Sequence, residues 1–201
     1  MTVVHGFIPG VVGRLEVNYE VLDPNNWAII CHPHPLYKGS MKNKVVTTVA
    51  QACAAQNISW ISFNFRGVGD SEGQYIDVEA AYLDCLAVKA WVEKNFCKPN
   101  WVIGFSFGAF IAKLLVARNK LVNLVLIAPP VARFGFEKLD SSYNSSLILA
   151  ENDEIAKLDK ALAWAKMQEL KQTVIIEQAG HFFHGKLLKL QNNLSQIMSS
   201  I

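Results

Sequence analysis

The feature that most constrains the fold is a regular alternation of short apolar, β-branched runs with stretches of helical spacing. The apolar runs, which predict strands, are Val11 to Val21, Trp27 to Cys31, Ser59 to Phe65, Trp101 to Ile103, Leu121 to Ile127, Leu147 to Ala150 and Thr173 to Glu177. The predicted helices are Asn43 to Gln56, Val78 to Asn95, Phe107 to Arg118, Glu154 to Leu170 and Lys186 to Met198. This alternation predicts an α/β fold with a mostly parallel central sheet, helices on both faces, and an antiparallel edge strand or hairpin at the start.

Length and charge limit the class of protein further. With 201 residues we expect a single domain over residues 1–201. A formal charge of +2 and scattered basic residues argue against a nucleic-acid partner. A short basic cluster, Lys38, Lys42 and Lys44, at most favours an anionic substrate group.

The N-terminal segment and the cysteines bear on location. Met1 to Gly10 lacks a basic region and contains Pro9 and Gly10, so it does not resemble a signal peptide, and no apolar run reaches membrane-spanning length. Cys31, Cys53, Cys85 and Cys97 show no CxxC spacing and lie in apolar or helical segments, which is typical of reduced thiols. We therefore expect a cytoplasmic protein with no membrane span.

In parallel sheets, functional residues gather in the loops at the carboxyl ends of the strands. One of these loops holds Gly104-Phe105-Ser106-Phe107-Gly108, a G-x-S-x-G pattern between a predicted strand and a predicted helix. Glycines on both sides of a serine permit a sharp turn that exposes the hydroxyl at a helix N-terminus. Ser106 is therefore the candidate nucleophile.

A serine nucleophile needs a base and a group that orients the base. Asp153 and His181 follow later predicted strands, so the chain offers a serine, an acid and a histidine in that order, each on its own loop. Glu151 and Glu154 are rival acids, and Asp153 has the alternative role of a helix N-cap. His184 is the rival base, but His181 comes first after the flexible Ala179-Gly180 pair.

An oxyanion hole needs two backbone N–H groups, and Phe107, the residue after the serine, is expected to supply one. The loop after the Trp27 to Cys31 run is expected to supply the other. Pro33 and Pro35 have no N–H, so the candidates there are His34, Leu36 or the later Tyr37.

Two other interpretations of these loops are weaker. His32, His34, His181 and His184 lack accompanying ligands at zinc-like spacing, so we expect no metal and no cofactor. The Arg66-Gly67-Val68-Gly69 segment lacks a complete phosphate-loop pattern, and we expect Arg66 and Asp70 to fix that loop by an ion pair.

Nearly the whole chain resembles the α/β-hydrolase superfamily, and within it the small bacterial hydrolases akin to dienelactone hydrolases and prolyl-oligopeptidase-type catalytic domains. The segments that carry this resemblance are Cys31 to Tyr37, Asn64 to Gly73, Gly104 to Ala109 and Gly180 to Gly185. The resemblance implies an α/β-hydrolase fold and a hydrolase activity.

The chain departs from the family pattern in several places. Lys38-Gly39 stands where similar sequences have two glycines, and Ala150 stands where they often have glycine. Dienelactone hydrolases proper use a cysteine nucleophile, so Ser106 argues against that activity. Only Pro129 to Ser146 separates two strands where the family often inserts a helical lid, so we expect no large cap domain and an open site.

Together these observations predict a serine hydrolase that cleaves carboxylic esters or thioesters of small acyl substrates. Tyr37, Phe105 and Phe182 are the expected substrate contacts, and Leu36, Phe107, Phe134 and Phe136 are further apolar candidates. The alternatives are a peptidase or acyltransferase with the same triad, and a non-catalytic binding or scaffolding protein. The amphipathic segment Lys186 to Ile201 packs on its own sheet or, alternatively, forms a homodimer.

Overall fold

The fold is built on one mixed sheet whose strands are mostly parallel, in a computed structural model that describes residues 2–200. The eight strands lie in the order β1-β2-β4-β3-β5-β6-β7-β8. They are β1 (Val4–Pro9), β2 (Arg14–Glu20), β3 (Trp27–Cys31), β4 (Ser59–Phe63), β5 (Trp101–Phe105), β6 (Asn123–Ile127), β7 (Asn144–Ala150) and β8 (Gln172–Ile176). Only the pairs β1 with β2 and β2 with β4 are antiparallel. The predicted mostly parallel sheet is therefore confirmed.

Five α-helices cover the two faces of this sheet. They are α1 (Lys44–Ala55), α2 (Val78–Asn95), α3 (Phe107–Asn119), α4 (Leu158–Ala165) and α5 (Leu187–Ser199). Side chains of α1 and α5 share one apolar core, and side chains of α2, α3 and α4 share the other. Strands β3, β4, β5 and β6 are buried along their full length, because helices cover both of their faces.

Local sequence explains where several helices begin. The Asn43 side chain accepts a hydrogen bond from the Val45 N–H and caps α1, and the Asp77 side chain accepts one from the Ala80 N–H and caps α2. In α5, Leu190, Leu194, Ile197 and Met198 are buried against the rest of the chain. The last residue of the predicted C-terminal segment, Ile201, and Met1 lie outside the described residues.

Two predicted elements differ in extent from the observed ones. The first predicted run, Val11 to Val21, forms only β2, from Arg14 to Glu20. It pairs antiparallel with β1, a strand that the sequence pattern did not predict, and the two strands form the hairpin expected at the start of the sheet. The turn between them is closed by the Gly10 N–H, which donates to the Gly13 carbonyl. The helix predicted from Glu154 begins only at Leu158, because the Asp153 carboxylate binds the N–H groups of Ile155 and Ala156 in a separate turn.

The expected ion pair between Arg66 and Asp70 is wrong. Arg66 pairs with Asp84 of α2, at 2.6 Å between Nη2 and Oδ1, and both side chains are buried. Asp84 also accepts a hydrogen bond from the Arg66 backbone N–H at 2.9 Å. This pair joins the loop after β4 to the helix that packs beneath it. Among the described residues, no helix combines the length and the apolar character that a membrane span requires.

We predict that Asp84→Asn lowers the free energy of unfolding by about 3–5 kcal/mol, since it leaves a buried guanidinium without its counter-ion. Urea denaturation measures this change. Glu79→Gln is the matched control, because it removes a carboxylate from the same helix and the same kind of arginine pair, but at the exposed Arg118. There we expect less than about 1 kcal/mol. Equal losses in the two variants would contradict the role assigned to Asp84.

Candidate active site

The site lies where the strand order reverses. Strand β3 pairs with β4 on one side and with β5 on the other, so the loops that follow β3 and β5 diverge above the sheet and leave a crevice between them. The first loop begins at His32, and the second is the turn at Ser106. The loops after β7 and β8 bring Asp153 and His181 to the same edge.

Ser106 occupies a strained turn between β5 and α3. Its φ and ψ angles are 55° and −118°, a region that residues other than glycine rarely adopt. Its N–H donates to the Ile127 carbonyl at the end of β6, at 2.9 Å. A side chain at Gly108 would collide with the Cys31 carbonyl oxygen, and one at Gly104 would collide with Gly108 itself. Both glycines of the G-x-S-x-G pattern are therefore required by close backbone packing.

Ser106, His181 and Asp153 form a continuous chain of hydrogen bonds. Ser106 Oγ lies 2.9 Å from His181 Nε2, and His181 Nδ1 lies 2.8 Å from Asp153 Oδ2. A carboxylate only accepts, so Nδ1 carries the proton of the neutral imidazole and Nε2 is left to accept from the serine hydroxyl. All three side chains are buried. This is the geometry that a base needs in order to take a proton from a hydroxyl.

The carboxylate that meets His181 is fixed by its own loop. Asp153 Oδ1 accepts hydrogen bonds from the N–H groups of Ile155, at 2.8 Å, and Ala156, at 2.6 Å. Asp153 therefore does not cap a helix that begins at Glu154. It binds two backbone N–H groups of the following turn and at the same time contacts His181. Of the rival acids, Glu151 instead accepts from the Gln178 N–H. The rival base His184 is exposed.

Two residues of the cavity wall, Phe107 and His34, have backbone N–H groups with no hydrogen-bond partner among residues 2–200. Phe107 is the first residue of α3, so its N–H has no partner within the helix. The His34 N–H also makes no hydrogen bond with any residue from 2 to 200. By contrast, the Leu36 N–H donates to His34 Nδ1 at 3.2 Å, and the Tyr37 N–H donates to the His34 carbonyl at 3.1 Å. Of the three candidates in this loop, the structure leaves His34 available.

His32 holds this loop in place from below. Its Nδ1 donates to the Pro33 carbonyl at 2.6 Å, and its Nε2 accepts from the Phe65 N–H at 3.1 Å. These two bonds require the neutral ring, since Nε2 must keep its lone pair. Complete burial lowers the pKa of His32 to about 3. His32 thus ties the loops after β3 and β4 together directly below His34.

A cavity of about 550 Å³ opens over Ser106. Aromatic and apolar side chains form much of its wall: Tyr37, Phe107, Pro130, Phe134, Ile155 and Phe182. The His34 ring packs on the Phe107 ring at 4.5 Å between centroids. Burial lowers the pKa of His34, so this wall favours a neutral imidazole. The cavity can therefore hold an apolar group next to the serine hydroxyl.

Three residues expected at the substrate lie elsewhere. Phe105 is buried and does not line the cavity, and its ring packs against the ring of His181, at 5.1 Å between centroids. The Leu36 side chain is exposed outside the cavity wall. Phe136 packs against Trp164 in the core. Tyr37, Phe107, Phe134 and Phe182 do line the cavity.

The sequence alone did not single out several residues of the cavity wall. Arg133 and Ile155 line it although each lies in an irregular segment with no motif. Asn43 also lines the cavity and caps α1. Its position at the start of a predicted helix was the only feature of the sequence that could have pointed to it. Among residues 2–200, no group of three or more His, Cys, Asp and Glu side chains is placed to hold a metal ion.

The chain is similar to proteins of one family. A model of the alpha/beta hydrolase family matches residues 27–146, which include strands β3 to β6 and the turn at Ser106. A curated relative, the uncharacterized protein RP471 of Rickettsia prowazekii (strain Madrid E), is 31% identical over 212 residues. That match covers 97% of this chain and 88% of the relative.

Two solved structures are similar over almost their whole length. One is an alpha-beta serine hydrolase homologue from Coxiella burnetii, with a TM-score of 0.90 and 35% identity over 98% of this chain and 97% of that one. The other is XC6422 from Xanthomonas campestris, a member of the a/b serine hydrolases without a lid. Its TM-score is 0.91 and its identity 31%, over 100% of this chain and 95% of that one.

We predict a pH-dependent loss of stability that His32 causes. Burial lowers its pKa from 6.5 to about 3, so protonation opposes folding. The stability contributed by the neutral ring is complete above the unfolded pKa of 6.5 and is lost as the pH falls toward 3. When the pH falls from 7.5 to 5, the free energy of unfolding of the wild type should decrease by about 2 kcal/mol more than that of His32→Gln, whose amide does not titrate. Urea denaturation of both proteins at each pH gives the measurement. Parallel pH profiles for the two proteins would be inconsistent with a buried neutral His32.

Proposed function

Since the chain belongs to the alpha/beta hydrolase family and is a hydrolase, we propose that it cleaves carboxylic ester or thioester bonds through Ser106, His181 and Asp153. The observation that carries this proposal is the hydrogen-bonded chain of these three side chains, with Ser106 Oγ 2.9 Å from His181 Nε2 at the floor of the cavity. The likeness to serine hydrolase structures without a lid supports it.

In the first half of the proposed reaction, Ser106 Oγ attacks the carbonyl carbon of the substrate while its proton passes to His181 Nε2. The carbon–oxygen or carbon–sulfur bond then breaks, and His181 returns the proton to the departing alcohol or thiol. The product left on the protein is an acyl ester of Ser106. Asp153 stabilises the positive charge that His181 carries between the two proton transfers.

The negative charge that develops on the carbonyl oxygen needs donors that are already in place. We assign this role to the N–H groups of Phe107 and His34, because both are free and both border the cavity beside Ser106. The partial positive charge at the N-terminus of α3 adds to their effect. The hydrogen bonds of His32 keep the His34 loop rigid, so the donors need not be reorganised during the reaction.

In the second half, water replaces the alcohol or thiol. His181 takes a proton from water, the resulting hydroxide attacks the acyl carbon, and Ser106 leaves with the proton of His181. Tyr37 at the cavity wall is exposed, and within residues 2–200 no helix lies between β6 and β7 to cover the cavity, so water has direct access to it.

We predict that Ser106→Ala lowers kcat/KM for 4-nitrophenyl esters by a factor on the order of 10⁴ or more, because the nucleophile is lost. Steady-state release of nitrophenolate over a series of acyl chain lengths gives the measurement. The unfolding midpoint should stay near that of the wild type. Ser141→Ala, which removes the hydroxyl of an exposed serine that does not line the cavity, is the control and should keep full activity. Unchanged hydrolysis by Ser106→Ala would refute the mechanism.

We predict a second, separate loss for Asp153→Asn. An amide at this position no longer fixes the Nδ1–H tautomer of His181 or stabilises its charge, so kcat should fall about 10³- to 10⁴-fold. Glu151→Gln is the matched control, because it makes the same change in an acid two positions earlier whose carboxylate binds the Gln178 N–H. We expect less than about a threefold effect there. Similar losses in the two variants would show that Asp153 is not the acid of the triad.

A further inference from the structure

The cavity over Ser106 has an unbalanced charge. Its charged wall residues are Lys38 and Arg133, whereas the nearby carboxylate of Asp153 lies behind His181 and is not part of the wall. None of the mechanistic steps above uses either cation. Their presence beside an otherwise apolar cavity calls for a ligand with matching negative charge.

A second cavity, of about 280 Å³, adjoins the first. The two share Pro130, Arg133 and Ile155 as a common wall, so Arg133 faces both. The second cavity adds Lys157 and Lys160, against the single carboxylate of Glu154. Arg133 therefore lies between the cavity over Ser106 and a neighbouring cavity whose wall has an excess of positive charge.

Arg133 differs from the other arginines of the chain in lacking an ion pair. Arg14, Arg66 and Arg118 each lie within ion-pair distance of a carboxylate, at 2.8, 2.6 and 2.8 Å. Within residues 2–200, no carboxylate lies within that distance of Arg133, Lys38 or Lys157. Lys160 has only the exposed Asp159, at 3.7 Å. The guanidinium at the wall between the two cavities is thus free to bind an external anion.

The backbone around Arg133 is held in a turn. Its N–H donates to the Pro130 carbonyl at 2.9 Å, and Pro130 itself lines both cavities. The neighbouring Phe134 ring packs on Phe110 and Phe107, at 5.1 and 5.5 Å between centroids. The backbone from which the exposed Arg133 side chain extends is therefore held beside the site.

We propose that the substrates are esters or thioesters that carry a carboxylate or phosphate group, and that Arg133, assisted by Lys157 and Lys160, binds this group. This inference rests on the proposed function, which identifies the reacting bond as an ester or thioester. A guanidinium presents two parallel N–H donors that match a carboxylate or a phosphate, and it keeps its charge at every physiological pH. The anion occupies the second cavity while the reacting carbonyl lies at Ser106.

The first arm of the test places the anion on the acyl side. Mono-4-nitrophenyl adipate carries a free carboxylate, and its methyl ester at the far end has the same chain without the charge. We expect the wild type to hydrolyse the anionic ester with a kcat/KM about tenfold higher, and we expect this preference to shrink as salt is raised. Arg133→Gln should remove the preference.

The second arm places the anion on the leaving group. S-Butyryl-4′-phosphopantetheine and S-butyryl-pantetheine differ only in the phosphate, and the release of thiol reports their hydrolysis. A preference for the phosphorylated thioester that Arg133→Gln removes would support the proposal and assign the anion to the leaving group. A preference confined to the adipate pair would support it and assign the anion to the acyl chain.

The control for both arms is Lys138→Gln. Lys138 lies on the same segment as Arg133, but it pairs with the exposed Glu169 and lines neither cavity. This variant removes one positive charge from the same region and should keep the wild-type preference. If the wild type treats charged and neutral substrates alike in both arms, or if Lys138→Gln and Arg133→Gln act equally, the proposal is overturned.

A binding measurement separates this proposal from the proposed function. In the background of Ser106→Ala, calorimetric titration with monomethyl adipate and with monobutyl phosphate requires no turnover. Binding that Arg133→Gln abolishes, in a protein whose wild type hydrolyses no ester, would support the anion site and refute the hydrolysis of esters. Hydrolysis of neutral esters with no binding of either anion would refute the anion site and leave the hydrolase mechanism intact.

Discussion

The left-handed backbone of Ser106 is the constraint on which the site depends. A φ of 55° at a serine is costly, and it persists because the surrounding packing leaves the chain no alternative. The Ser106 N–H is bound to the end of β6, Gly108 lies directly against the Cys31 carbonyl, and Gly104 lies against Gly108. The strain is thus carried by strands that are parallel and fully buried. In return the hydroxyl stands clear of the sheet, at the start of α3.

Short hydrogen bonds fix the positions of His181 and Asp153 relative to Ser106. His181 reaches Ser106 Oγ at 2.9 Å, and Asp153 reaches His181 at 2.8 Å while its other oxygen is bound by two backbone N–H groups. On the opposite side, His32 ties the loop of His34 to the loop after β4, and the buried pair of Arg66 and Asp84 ties that loop to α2. The groups come from separate loops, yet each loop is anchored by buried polar contacts. The geometry is therefore in place before a substrate binds, as a preorganised site requires.

Much of this arrangement could be predicted from the sequence, because it depends on local patterns. Strand and helix alternation specified the sheet, and the G-x-S-x-G segment marked the turn at Ser106 because its two glycines have a local steric cause. What the sequence did not reveal depends on which elements pack together. Arg66 pairs with Asp84 and not with Asp70, because α2 returns beneath its loop. Likewise, Phe105 lies under His181, and the unpaired Arg133 at the cavity wall became visible only from the assembled loops.

Covalent labelling of the native protein with a fluorophosphonate, followed by peptide mapping by mass spectrometry, tests most directly whether His181 activates Ser106. This reagent reacts with serines that a neighbouring base activates, so it reports the state of the Ser106 and His181 pair without any assumption about substrate. We predict one phosphonate on the peptide that holds Ser106 in the wild type, and none in Ser106→Ala or in folded His181→Ala. Absence of label from folded wild type, or a label that persists in His181→Ala, would contradict the claim that His181 activates Ser106.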